Sequence, residues 1–225
     1  MKRRPAAGGG FWVDVAPDRL AGWLSRFAEQ HGGVMSVAAA PERVDLVTGD
    51  RARAEVDVPF PPLSPVAVET AGAPPYAGLV EHALASRRVG VLLVRLGGYA
   101  AGVFEGTSLV SSKVGSRQVH GRSAAGGWSQ QRFARRREGQ AKVALDEAAD
   151  VAARILLPVA PTLDAVVLGG DRRAATGVLD DIRLEPLRPL VVDRLLEVVD
   201  PRLKVLEATP PAFRAVRIRV VDAPG

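Results

Sequence analysis

The sequence predicts an α+β or α/β protein: a mixed β-sheet with helices on its faces, preceded by a small α+β region. Three observations predict it. Val89 to Leu96 is apolar at nearly every position, the pattern of a strongly buried strand. Two further strand-like segments, Tyr99 to Glu105 and Thr107 to Gln118, follow it as a meander. A long helical pattern from Ser129 to Leu157 then gives way to strand–helix alternation.

Taken in order, residues 1–10 read as a disordered tail, residues 11–75 as a small α+β region with a proline-rich connection, and residues 76–225 as a second domain. Phe11 to Val15 alternates as a short strand. Pro17 suits the first turn of a helix, and Leu20, Trp23, Leu24, Phe27 and Ala28 give that helix one apolar face. Gly32-Gly33 stops it, with His31 as a C-terminal cap. Val34 to Ala39, Val44 to Thr48 and Ala52 to Val58 are strands, with a turn at Gly49-Asp50 flanked by Arg51 and Arg53. The prolines from Pro59 to Pro65, with Gly72, Pro74 and Pro75, break regular structure and set the boundary.

In the second domain, Leu79 to Ser86 reads as a short helix and Gly97-Gly98 as the turn after the buried strand. Ser129 is a natural N-cap for the long helix. Ala141, Ala144, Ala148, Val151, Ala152 and Ile155 recur at helical spacing, and Pro158 ends the helix. Asp164 to Gly170 is a buried strand feeding a turn. Ala174 to Asp180 and Val191 to Val199 read as helices, and Ala215 to Val221 as a final strand.

Composition narrows the function classes. The 225 residues are 47% hydrophobic and 24% charged, enough for a sizeable core. The 30 Lys and Arg against 25 Asp and Glu leave a net charge of +5, so clustering of charge matters more than its total. With no cysteine there is no disulfide, thiolate nucleophile or Cys-ligated metal. No apolar run is long enough to span a bilayer, and no signal-peptide core follows the basic start, so a cytoplasmic protein without a membrane partner is expected. His31, His82 and His120 are the only histidines; no Gly-x-Ser-x-Gly elbow, His-Glu-x-x-His pair or Walker loop occurs. Asp146, Glu147 and Asp150 are spaced for a solvated helix surface. Neither a metal nor a small-molecule cofactor is expected.

What remains is the run from His120 to Arg137, a loop of small residues that opens into a basic helix. Gly126 and Gly127 give the loop reach and close approach. Gln130 stands at the junction, and Arg132, Arg135 and Arg136 share a helix face behind it. A side-chain amide is too weak a base to take a proton, but it can orient a water or donate to an oxyanion. It works best where another body holds the substrate still. Arginines behind it would bind phosphates without regard to sequence. Gln131 is the rival amide, about a hundred degrees round the helix from Gln130.

His120-Gly121-Arg122, the Gly126-Gly127 pair and Arg132-Phe133-Ala134-Arg135 resemble the central domain of archaeal and eukaryotic class 1 peptide-chain release factors. There, His-Gly-Arg-Gly-Gly-Gln precedes a helix containing Arg-Phe-Ala-Arg. The resemblance covers roughly residues 85–225; residues 1–80 carry none. Ser123-Ala124-Ala125 is inserted after Arg122, and Trp128 stands where the release-factor glutamine would be. With Gly127-Trp128-Ser129-Gln130 in the form Gly-x-x-Gln, the loop is similar to that of Vms-like release factors of ribosome-associated quality control, in their actinobacterial form. The resemblance implies release of nascent chains from peptidyl-tRNA on stalled large ribosomal subunits. Gln130, Gly126 and Gly127 would then be catalytic. Arg122, Arg132, Arg135 and Arg136 would bind RNA, and Trp128 would stack on a base or tuck against its own domain. Two alternatives stay open: a ribonuclease cutting the tRNA 3′ end, and a factor that binds the ribosome without catalysis.

Overall fold

The computed structural model describes residues 3–64, 74–95, 97–116 and 129–223, with the backbone alone for residues 129–138 and 141. The chain forms two compact units: residues 1–85 with 214–225, and residues 86–213. The final strand, expected to close the second domain, lies in the first unit, and so does the short helix after residue 75. The proline-rich segment is therefore not the boundary. The chain leaves the first unit near Ala85 and returns near Arg214.

In the first unit, β1 (Arg4–Pro5), β2 (Phe11–Val15), β3 (Val34–Ala39), β4 (Arg43–Thr48), β5 (Arg53–Asp57) and β11 (Val216–Val221) make an antiparallel sheet in the order β1-β2-β11-β5-β4-β3. Sequence alternation builds it. Val216, Ile218 and Val220 point into a core with Val13, Ala54, Val56, Val44 and Leu46. Helices α1 (Pro17–Gln30) and α2 (Ala77–Leu84) add Leu20, Leu24, Phe27 and Leu79 to that core. The opposite alternation carries paired charges: Arg219 meets Glu55 at 3.2 Å, and Arg43 reaches Glu55 at 3.1 Å and Asp45 at 2.6 Å.

The tail expected to be disordered is tied to this sheet. Arg4 bonds Asp14 at 2.6 Å, and the Arg219 guanidinium donates to the carbonyls of Ala7 (3.1 Å) and Gly9 (3.0 Å). Those anchors lie at positions 14 and 219, too distant in sequence for local composition to reveal. His31 donates its backbone N–H to Ala28, as a cap would, and its Nδ1 also lies 2.7 Å from Asp50. Asp50 is held down to about 2, first by the Ala52 backbone N–H and then by His31.

In the second unit, β6 (Arg88–Arg95), β7 (Gly98–Glu105), β8 (Ser108–Ser116), β9 (Ala165–Gly170) and β10 (Val191–Leu196) form a mixed sheet in the order β10-β9-β6-β7-β8. β10, β9 and β6 run parallel, while β7 and β8 return antiparallel. Helix α3 (Ser129–Leu156) and helix α4 (Arg172–Leu179) share a core with Leu92, Val94, Val166 and Leu168 on one face. Leu206, from the short α5 (Leu203–Glu207), fills the space beside Gly102, and Phe213 of α6 (Pro210–Arg214) packs edge-on against Phe104 at 5.4 Å. Cover on both faces explains why Val91, Leu92 and Leu93 are all fully buried.

The segment from Val191, expected as a helix, is the edge strand β10, with Val191 opposite Val166 and Leu195 opposite Leu168. Its apolar positions fit either period. Pro186 and Pro189 lie in a 3-10 helix, Ile182–Leu190, that ends just before it, and two β-branched valines open it. Among the described residues, no helix is long and apolar enough to cross a membrane.

Candidate active site

The segment expected to carry the site joins two described elements of the second unit. β8 ends at Ser116, which pairs with Gly98 at the start of β7. α3 begins at Ser129. Arg122, Gly126, Gly127 and Trp128, with His120, lie outside the described residues. Gln130, Gln131, Arg132, Arg135 and Arg136 fall on the first turns of α3, and their side chains lie outside the described residues too.

The described part of α3 fixes where those turns sit. Leu156 lies against Gly90, near the start of β6. Glu147 accepts a hydrogen bond from the Tyr99 hydroxyl at 3.1 Å, and Tyr99 pairs with Val94 at the other end of that strand. From Glu147 to Leu156 the helix rises about 13 Å, the length of the strand it covers. α3 thus runs along β6 in the opposite sense. Ala144 is its first buried side chain among those described, and Gly139, Lys142 and Val143 before it are exposed. Ser129 lies about 22 Å up the axis from Ala144.

Tyr99, through Glu147, and Arg183, through Asp150, hold the packed half of α3. The Tyr99 ring lies over Gly115, where a Cβ would come within 2.4 Å of it, so β8 needs a glycine one residue from its end at Ser116. Arg183 bridges Asp150 of α3 (2.8 Å) and Asp181 (2.7 Å). Its side-chain bonds bring Asp181 down to about 2 and raise Arg183. Of the three carboxylates expected to be solvated, Asp146 is exposed, Asp150 is exposed but paired, and Glu147 is half-buried and bonded. Its spacing from Ala144 and Val151 was the available signal, since positions three and four apart share a face.

A cavity of about 730 Å³ in the first unit is lined by Trp23, Phe27, Arg19 and Arg26 of α1, among others. In the second unit, at the carboxyl ends of β6 and β9, a cavity of about 620 Å³ is lined by Arg95, Tyr99, Ala144, Asp171, Arg172 and Arg173, with others. Sequence reading missed it because its arginines come from two separate segments. Among the described residues, no three His, Asp or Glu side chains gather as metal ligands.

A family model described as the Actinobacteria/chloroflexi VLRF1 release factor matches residues 87–219, more than half of the chain. No curated protein matches. Among solved structures, the chain is similar to an archaeal translation termination factor at 14% identity and a TM-score of 0.40, over 56% of this chain and 36% of that one. It therefore spans about a third of that factor's length. It is also similar to a structure described as the Vms1 mitochondrial localization core, at 7% identity and a TM-score of 0.41, over 82% of this chain and 77% of that one. A further archaeal protein gives 16% identity and a TM-score of 0.34, over 56% of this chain and 35% of that one.

Proposed function

The chain belongs to the Actinobacteria/chloroflexi VLRF1 release factor family, and on that premise we propose that it is a cytoplasmic peptidyl-tRNA hydrolase. It frees nascent chains on stalled large ribosomal subunits, as part of ribosome-associated quality control. What supports this reading is the place of Gln130. It is the second residue of a 28-residue helix whose first described buried side chain, Ala144, comes fourteen positions later. An amide carried about 21 Å along the axis from its anchor suits delivery into a site built by another molecule.

In the reaction, water attacks the ester carbonyl carbon. The bond from that carbon to the 3′ oxygen breaks, and the oxygen leaves with a proton as a free 3′ hydroxyl. The peptide leaves as a carboxylic acid. Gln130 orients the water through its carbonyl oxygen or donates N–H to the oxyanion. Gly126 and Gly127 let the backbone approach the ester. Arg122, Arg132, Arg135 and Arg136 bind phosphates, and Trp128 stacks on a base. Positioning by the ribosome supplies the rest of the rate.

The test uses large subunits carrying radiolabelled peptidyl-tRNA, mixed with the full chain. Free peptide and intact tRNA support the hydrolase. Peptide still bearing terminal nucleotides would move the cut to the tRNA and overturn it, and so would binding without release.

A further inference from the structure

The cavity at the carboxyl ends of β6 and β9 plays no part in the chemistry above. We propose that it is a phosphate-binding subsite for the phosphodiester backbone of RNA, with Arg95, Arg172 and Arg173 as its cationic wall. The proposal rests on the release-factor reading only for which RNA fills the cavity.

The charge is lopsided. Three guanidiniums line the cavity against one carboxylate, Asp171. That carboxylate is engaged, accepting from the Ala174 backbone N–H at 2.9 Å. Arg95 is partly buried and steadied by a bond from its Nη1 to the Val198 carbonyl at 3.1 Å, which satisfies a donor but cancels no charge. Arg172 lies 3.5 Å from Asp193, whose carboxylate is fully exposed, so the pair is weak and readily exchanged for a stronger anion. Arg173 stands exposed on the next position of α4. Guanidinium groups bind phosphate through paired N–H donors, and several around one opening favour a chain of phosphates over a lone anion.

Shape and place agree. The opening lies where two parallel strands end, the usual position of ligand crevices beside such strands. Its floor stays bare because a Cβ on Gly170 would strike the Val94 carbonyl at 2.3 Å. Ala144 and Leu145 of α3 form one wall. Gly98, also in the lining, pairs with Ser116, the last described residue of β8. RNA seated here would lie beside the point where α3 leaves the sheet. The arginine run of α3 begins at Arg132, twelve residues up the helix from Ala144.

The test measures binding of the full chain to fluorescein-labelled deacylated tRNA and, separately, to large subunits without tRNA, across a salt series. The variants are Arg172→Glu/Arg173→Glu and Arg95→Gln, with Arg154→Glu, exposed on α3, as the charge control. We expect the double variant to weaken binding about 10- to 100-fold and to flatten the log K against log salt slope by about 1.5, as for two lost phosphate contacts. Arg95→Gln should weaken binding several-fold and Arg154→Glu hardly at all, with thermal melts matching the parent's. Loss confined to tRNA names tRNA as the ligand; loss confined to the subunit names ribosomal RNA; either supports the subsite. Unchanged binding to both would overturn it, and so would an equal loss from Arg154→Glu. A failure of the hydrolase reading appears in release, and a failure of this proposal in binding.

Discussion

The contact between Leu156 and Gly90 makes a quantitative test of how α3 is seated. Leu156 is fully buried, and a Cβ added at Gly90 would lie 3.2 Å from its Cδ2 and 3.2 Å from Leu163 Cδ1. Leu156→Ala leaves a hole facing a residue with no side chain to fill it, and should cost about 3 kcal/mol. Gly90→Ala alone forces both leucine tips to give by a few tenths of an ångström, at about 1 kcal/mol. In the Leu156→Ala background the same methyl fills the hole and recovers about 0.8 kcal/mol. The two changes should thus couple by about 2 kcal/mol. Urea unfolding of the four proteins, followed by the transition of the second unit, measures this. Costs that add to within about 0.5 kcal/mol would refute the reasoning, because residues out of contact add that closely.

Two further outcomes follow from the geometry. Gly115→Ala should destabilise the second unit by about 1–3 kcal/mol, since the new Cβ meets the Tyr99 ring at 2.4 Å; a shift under 0.5 kcal/mol in urea unfolding would contradict that packing. Acid should weaken both units: Asp50 and Asp181 are each held near 2, so the stability they give is complete above about pH 4 and lost as pH falls through 2. Asp50→Asn and Asp181→Asn should each flatten the fall of the urea midpoint between pH 4 and pH 2, and an unchanged slope would count against those bonds.

The local elements were legible because each rests on neighbours in sequence. β2 and β3 fall at the expected residues, and α3 ends within one residue of the expected position. The placement of β11 was not legible. Its alternation declares a strand, but its partners are Val13 and Val56, far back in the chain. The order of the tail failed for the same reason, since Arg219 lies some two hundred residues from the carbonyls it binds. β10 failed because its apolar spacing serves two periods and only a free edge beside β9 decides between them. Of the candidate site, the motif around Gln130 was readable as a string. The cavity was not, because Arg95 and Arg172 meet only when β6 and β9 lie side by side.

The account stands or falls on Gln130. The direct measurement is the single-turnover rate at which saturating protein releases peptide from peptidyl-tRNA on large subunits, for Gln130→Ala beside Gln131→Ala. Removal of one positioned donor at a developing oxyanion costs about 10²- to 10³-fold in rate. Gln130→Ala should fall by that much while Gln131→Ala stays within a few-fold of the parent. Release at the parental rate by Gln130→Ala, with both proteins bound equally, would contradict the account.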